Sequence, residues 1–123
     1  MTPSGGAYGE YVVISKKLVF VLNDTTTFEQ AASLIVNPMT VAYMVDCIQK
    51  DRHQGVILNA AASALGKMLI RWCQRLNIPT VCLVRRPEQV ETLRRIGGTA
   101  IFDTSVKGWF RDCLLYTSDA ADE

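Results

Sequence analysis

A chain of 123 residues is enough for one folded domain or for a piece of a larger protein. Its hydrophobic content of 49% and charged content of 20% describe an ordinary globular protein, and a net charge of +1 removes any electrostatic case for nucleic acid or an acidic partner. No 18-residue apolar run and no charged-then-apolar leader is present, so no membrane association is expected and the chain reads as cytoplasmic. Cys47, Cys73, Cys82 and Cys113 lack CxxC spacing, and three of them lie within apolar patterns. Buried thiols in a reducing compartment fit that pattern.

The chain opens on a Gly/Pro/Ser-rich lead-in, Met1 to Gly9, that forms no element. Glu10–Ile14 and Leu18–Leu22 are β-branched and aromatic runs parted by Ser15-Lys16-Lys17, which predicts strand, turn, strand. A two-stranded ribbon has little stability alone, and no pairing partner is obvious in the chain. Asn23–Thr27 is a polar turn. Thr27 and Gln30 have capping-box spacing, predicting a helix from Phe28 to about Val36. Asn37-Pro38 then breaks this helix and starts the next, with Asn37 as N-cap and Pro38 at the first helical position. Val41, Met44, Val45 and Ile48 carry the second helix to about Lys50.

The stretch from Gly55 to Gly66, GVILNAAASALG, is the most informative in the sequence. Val56-Ile57-Leu58 is long enough for one buried strand. Nothing bulkier than Asn59 follows it through Ala64, and Gly66 sits in the first turn of a helix. Strand, small-residue turn and helix open a dinucleotide-binding βαβ unit, here with the degenerate fingerprint Ala61-x-Ser63-x-x-Gly66. Small side chains let the backbone approach a pyrophosphate, and amides at the helix start face the anion. On this reading Asn59, Ala61, Ser63, Ala64, Leu65 and Gly66 form the cofactor turn, with backbone N–H groups as its donors. Ser63 also suits a plain N-cap.

From Ala64 to Leu76, one apolar stripe of Leu65, Met68, Leu69, Trp72, Cys73 and Leu76 predicts an amphipathic helix, with Lys67, Arg71, Gln74 and Arg75 toward solvent. Asn77-Ile78-Pro79 closes it. Thr80–Val84 is a second strand, apolar enough to be buried on both faces. Pro87 starts a helix that Gly97-Gly98 stops, and Thr99–Phe102 is a third strand. The order β-α-β-α-β with right-handed crossovers gives an α/β fold, the first half of a doubly wound parallel sheet. Arg85 and Arg86 end the second strand about twenty residues after Gly66, where an NAD site places an acid on the ribose hydroxyls. Guanidinium groups there pair with a 2′-phosphate, so NADP is the expected cofactor. After Trp109-Phe110-Arg111-Asp112, residues Cys113 to Glu123 continue no periodicity. Their back-translation resembles the transposon-end adapter used in sequencing libraries. This segment is therefore expected to be non-native and to leave folding unaffected when removed.

Several of these stretches act together. Gly6-Ala7-Tyr8-Gly9-Glu10-Tyr11, Phe28-Glu29-Gln30-Ala31-Ala32, Val36-Asn37-Pro38-Met39-Thr40, the turn from Asn59 to Gly66, and Val84-Arg85-Arg86-Pro87-Glu88-Gln89 follow one another over about residues 5 to 105. In that order and spacing the chain resembles the medium-chain dehydrogenase/reductase superfamily, in its zinc-independent quinone reductase and enoyl reductase branch. The resemblance implies an internal piece of a larger protein. Residues 1–26 would be the last strands of a GroES-like catalytic barrel. Residues 27–112 would be linking helices and part of a Rossmann-like NAD(P)-binding domain, and 113–123 the added tail. It further implies NADPH-dependent reduction of an activated C=C bond or a quinone, a small-molecule substrate and a homodimeric parent, with this piece alone inactive. By resemblance Thr40 would face the nicotinamide ring, although a helix cap suits it equally. Zinc-using relatives carry Cys or Asp four positions earlier, where Val36 has no donor atom. His53, the only histidine, lies in a polar loop, and no Cys, His and Asp have tetrahedral ligand spacing, so no metal is expected. The alternatives are a non-catalytic dinucleotide-binding sensor or interaction module and a zinc-dependent alcohol dehydrogenase, because fold alone does not settle function.

Overall fold

Three parallel strands organise most of the chain: β1 (Val56–Leu58), β2 (Thr80–Val84) and β3 (Ala100–Asp103), adjacent in that order. Val56 lies opposite Thr80, and Val81 opposite Ala100. The computed structural model describes residues 8–119. Residues 1–7 of the expected lead-in and 120–123 of the expected tail lie outside the described residues. Contacts divide the chain into two units, Met1–Ala32 and Ser33–Glu123.

Five helices accompany the sheet among the described residues: α1 (Phe28–Ser33), α2 (Val36–Lys50), α3 (Ala64–Arg75), α4 (Pro87–Arg95) and α5 (Trp109–Asp119). Within the larger unit, α2, α3 and α4 share one core with the sheet. Val41, Val45, Leu69, Ile70, Cys73 and Leu93 bury there against Leu58, Cys82 and Val84. The opposite face of the sheet, with Val81, Leu83, Ala100 and Phe102, packs against Trp109, Cys113 and Tyr116 of α5. Helices on both faces of a parallel sheet are the doubly wound, Rossmann-like arrangement expected from the strand order. β2 is buried on both faces, as its unbroken apolar run requires. Burial also pushes the thiols of Cys73 and Cys82 above their ordinary value by disfavouring the thiolate.

Local signals set the element ends. Thr27 and Gln30 close a capping box, the Gln30 amide donating to Thr27 Oγ1 at 3.3 Å and the Thr27 amide to Gln30 Oε1 at 3.1 Å. Helix α4 ends in a Schellman motif, with Gly97 at φ 95° and the Gly98 amide donating to Leu93 O at 3.0 Å. Asn77, at φ 56°, does the same for α3, where the Ile78 amide donates to Cys73 O at 2.9 Å. Strand β3 starts one residue later than expected. Thr99 and Thr80 instead bond reciprocally, each hydroxyl accepting the other's amide.

Four sequence expectations need correction. The strands expected over 10–14 and 18–22 do not form; the segment holds a single 3₁₀ turn, Lys16–Leu18, closed by Ser15, and Val13 and Val21 are about fully exposed. Strand pairing is non-local, and no partner is present among the described residues of that unit. Second, α1 ends at Ser33 and α2 begins at Val36, so Asn37 is not the N-cap and Pro38 falls at the third helical position. Proline is tolerated there because the first-turn amides have no intrahelical acceptor. Third, α3 buries Ile70 and leaves Trp72 40% exposed. A helix that meets both the sheet and α2 buries a wider arc than a single stripe. Fourth, the reading that 113 onward lacks periodic structure fails over the described residues 113–119. Cys113 is only 9% exposed, and the Tyr116 ring meets Phe102 edge-on with centroids 6.2 Å apart. Trp109, Cys113 and Tyr116 fall at i, i+4 and i+7, a stripe that straddles the supposed boundary.

Candidate functional site

A cavity of about 450 Å³ opens at the C-terminal ends of the three strands. One wall is the turn after β1, from Asn59, Ala60, Ala62 and Ser63. The other is the end of β2 with Arg85 and Arg86, together with Gln89 from α4 and Thr104 after β3. Ligands of open α/β sheets bind at this end because loops and helix N-termini converge there.

The turn is tightly built. Ala60 takes φ 50°, and Asn59 Oδ1 accepts its amide at 2.8 Å. The Ala61 amide donates to Leu83 O at 3.3 Å, tying the turn to β2, and the Ser63 amide closes on Ala60 O at 2.9 Å. Ser63 is the N-cap of α3, its Oγ accepting from the Gly66 amide at 3.1 Å. A Cβ on Gly66 would lie 2.3 Å from Ala61 O, so only glycine allows the helix to sit this close to the turn. Among the described residues, the amides of Ala64 and Leu65 have no protein acceptor. Ala61 and Gly66 thus depart from their expected role. Both are buried, and both amides are already engaged within the protein, so they shape the turn rather than face the cavity.

Arg85 and Arg86 line the cavity and are exposed. Arg86 caps α4 without a side-chain cap bond, and its Nη1 lies 3.9 Å from Glu88 Oε1, an exposed pair of small energetic weight. Thr104 Oγ1 donates to Val84 O at 2.9 Å and fastens the loop after β3 to the end of β2. No carboxylate is among the lining residues, and the guanidinium groups of Arg85 and Arg86 with the Ser63 hydroxyl suit a phosphorylated anion; Ala64 and Leu65, with their open amides, begin α3 next to Ser63 but are not themselves part of the lining. The pyrophosphate and 2′-phosphate of NADPH fit that set.

Thr40 lies elsewhere. It sits inside α2, four residues past the helix start rather than at it, and its Oγ1 donates to Val36 O at 2.7 Å. It is not part of the cavity lining. Val36 and His53 are exposed, with His53 Nε2 3.7 Å from Asp51 Oδ2. Among the described residues no three His, Cys, Asp or Glu side chains gather in a metal-holding group. Sequence reasoning missed Gln89 and Thr104 as site residues. Their position at the C-terminal side of β2 and β3 was the available signal.

No protein-family profile matches the sequence. Individual proteins do. The quinone oxidoreductase of Pseudomonas aeruginosa is 28% identical over 113 residues, covering 91% of this chain and 35% of that protein. The mitochondrial enoyl-[acyl-carrier-protein] reductase of Caenorhabditis elegans is 35% identical over 89 residues, covering 72% of this chain and 26% of that protein. In three dimensions, a Mesorhizobium loti protein provisionally designated NADPH:quinone reductase superposes with a TM-score of 0.68 at 30% identity, over 72% of this chain and 26% of that one. The chain belongs to the medium-chain dehydrogenase/reductase superfamily. Within that superfamily the fold is a partial Rossmann-like α/β unit. The chain spans about a third of the length of the Pseudomonas relative and about a quarter of the nematode one. Among the described residues no helix is long and apolar enough to cross a membrane.

Proposed function

We propose that this chain is the cofactor-holding part of an NADPH-dependent reductase acting on a quinone or on the activated double bond of an enoyl thioester. One observation carries the reading: a cavity at the strand ends that sets an acid-free small-residue turn opposite Arg85 and Arg86. The open amides of Ala64 and Leu65 would receive the pyrophosphate, with Ser63 capping the helix that presents them. Asn59 holds the turn in shape through the Ala60 amide. Arg85 and Arg86 would receive the 2′-phosphate, a group that an acid at this position would repel. When bound, NADPH supplies the hydride; the chain's own residues bind and orient it. The substrate class follows the names of the Pseudomonas and nematode relatives. Thr40 on the nicotinamide side, a homodimeric and cytoplasmic parent, and a catalytic domain ending near residue 26 belong to the same proposal.

Cofactor choice tests it. Replacing Arg85→Asp with Arg86→Ala is expected to weaken NADPH binding by ~3 kcal/mol, since charged hydrogen bonds contribute ~1.5–3 kcal/mol each, and to leave NADH binding nearly unchanged. Calorimetric titration of both cofactors reads this directly. An equal loss for both would overturn the proposal. In the same preparation, no NADPH oxidation is expected with a quinone or an enoyl thioester as acceptor.

A further inference from the structure

The first turn of α4 holds a feature that the arginine pair does not explain. Helix N-caps favour Ser, Thr, Asp or Asn, and this one is Arg86, which makes no side-chain cap bond. Gln89 ties this end of the helix back to the residues before it. Its Oε1 accepts the Arg85 amide at 3.2 Å, and its own amide donates to Arg86 O at 3.0 Å. The two bonds grip the Arg85–Arg86 dipeptide at both ends. Gln89 also lines the cavity beside the two arginines. The amide orientation is set by chemistry: an N–H donor at Arg85 requires the oxygen of Gln89, which leaves the NH2 group as the remaining donor. That NH2 has no protein partner among the described residues.

We infer that Gln89 is a specificity-determining residue of this cavity, fixing the arginine dipeptide through Oε1 and donating through Nε2 to the 2′-phosphate of the cofactor. The inference rests on the NADPH reading above and deepens it. A phosphate oxygen gains one more donor, and the arginines gain a backbone that does not drift. An unphosphorylated ribose needs neither.

Gln89→Glu is the informative change. The carboxylate still accepts the Arg85 amide, but it replaces the NH2 donor with a negative charge facing phosphate. The expected result on the full chain is a loss of NADPH affinity of about tenfold or more with NADH affinity held, read by calorimetry. Exchange of the Arg85 amide should stay slow in this variant and become fast in Gln89→Leu, which removes the acceptor. Gln89→Leu should also lose NADPH affinity, by less than Gln89→Glu. Unchanged NADPH affinity in Gln89→Glu, or an equal loss for NADH, would overturn the role. If Arg85→Asp with Arg86→Ala is selective while Gln89→Glu is not, the cavity reading stands and only this inference falls. If the unaltered chain does not prefer NADPH to NADH, both fall.

Discussion

Gly66 shows how much one missing side chain decides. Its backbone lies so near the turn that a Cβ would meet Ala61 O at 2.3 Å, well inside van der Waals contact, and the obstacle is backbone that cannot rotate away. Gly66→Ala is therefore expected to cost ~1–3 kcal/mol of stability by overpacking, even though alanine is the better helix former. It should also displace the turn over 59–63 and weaken NADPH binding. Urea denaturation checks the first part, and wild-type stability in the variant would show that helix and turn can separate freely. Ser63 was legible as a cap, and its hydroxyl does hold the Gly66 amide. The roles of Ala61 and Gly66 were not legible. Which amides stay open depends on where Leu83 O and Ser63 Oγ lie, and Leu83 belongs to a different strand.

At the scale of elements, α3 and α4 were readable from their stripes, caps and stop signals, all of which act within a few residues along the chain. Helix α5 was not legible at all: no element is expected at Trp109–Asp112, and the residues from Cys113 onward read as foreign to the chain. Its apolar stripe nevertheless crosses position 113 and covers Val81, Ala100 and Phe102. Truncation after Asp112 is expected to uncover that face of the sheet and to remove the edge-on contact of Tyr116 with Phe102. The loss should amount to ~1–3 kcal/mol from apolar burial and the aromatic pair. Comparing the urea midpoints of the truncated and full chains measures it. An unchanged midpoint would restore the reading in which the segment contributes nothing to folding.

For the whole molecule, the consequential feature is the open side of β1. Among the described residues, helix α5 covers β2 and β3 but not the corresponding face of β1, so Ile57 is 63% exposed on an edge strand. Unpaired strand edges with apolar side chains template association. Ile57→Lys is expected to lower concentration-dependent self-association, followed by light scattering, with little effect on unfolding. Equal scattering by the two proteins would place the association elsewhere.

What the sequence determined by itself was everything closed over short distances. The capping box at Thr27, the Schellman stops at Asn77 and Gly97 and the small-residue turn all depend on neighbours a few residues apart, and the alternation of strand and helix patterns along the chain follows from them. Tertiary structure decided what distant segments do to one another. Residues 10–22 carry strand-forming side chains yet form no strand, because a strand exists only with a partner beside it. Ile70 rather than Trp72 is buried because α3 faces two neighbours. Gln89 and Thr104 reach the same cavity as Asn59 only because parallel pairing brings three strand ends together.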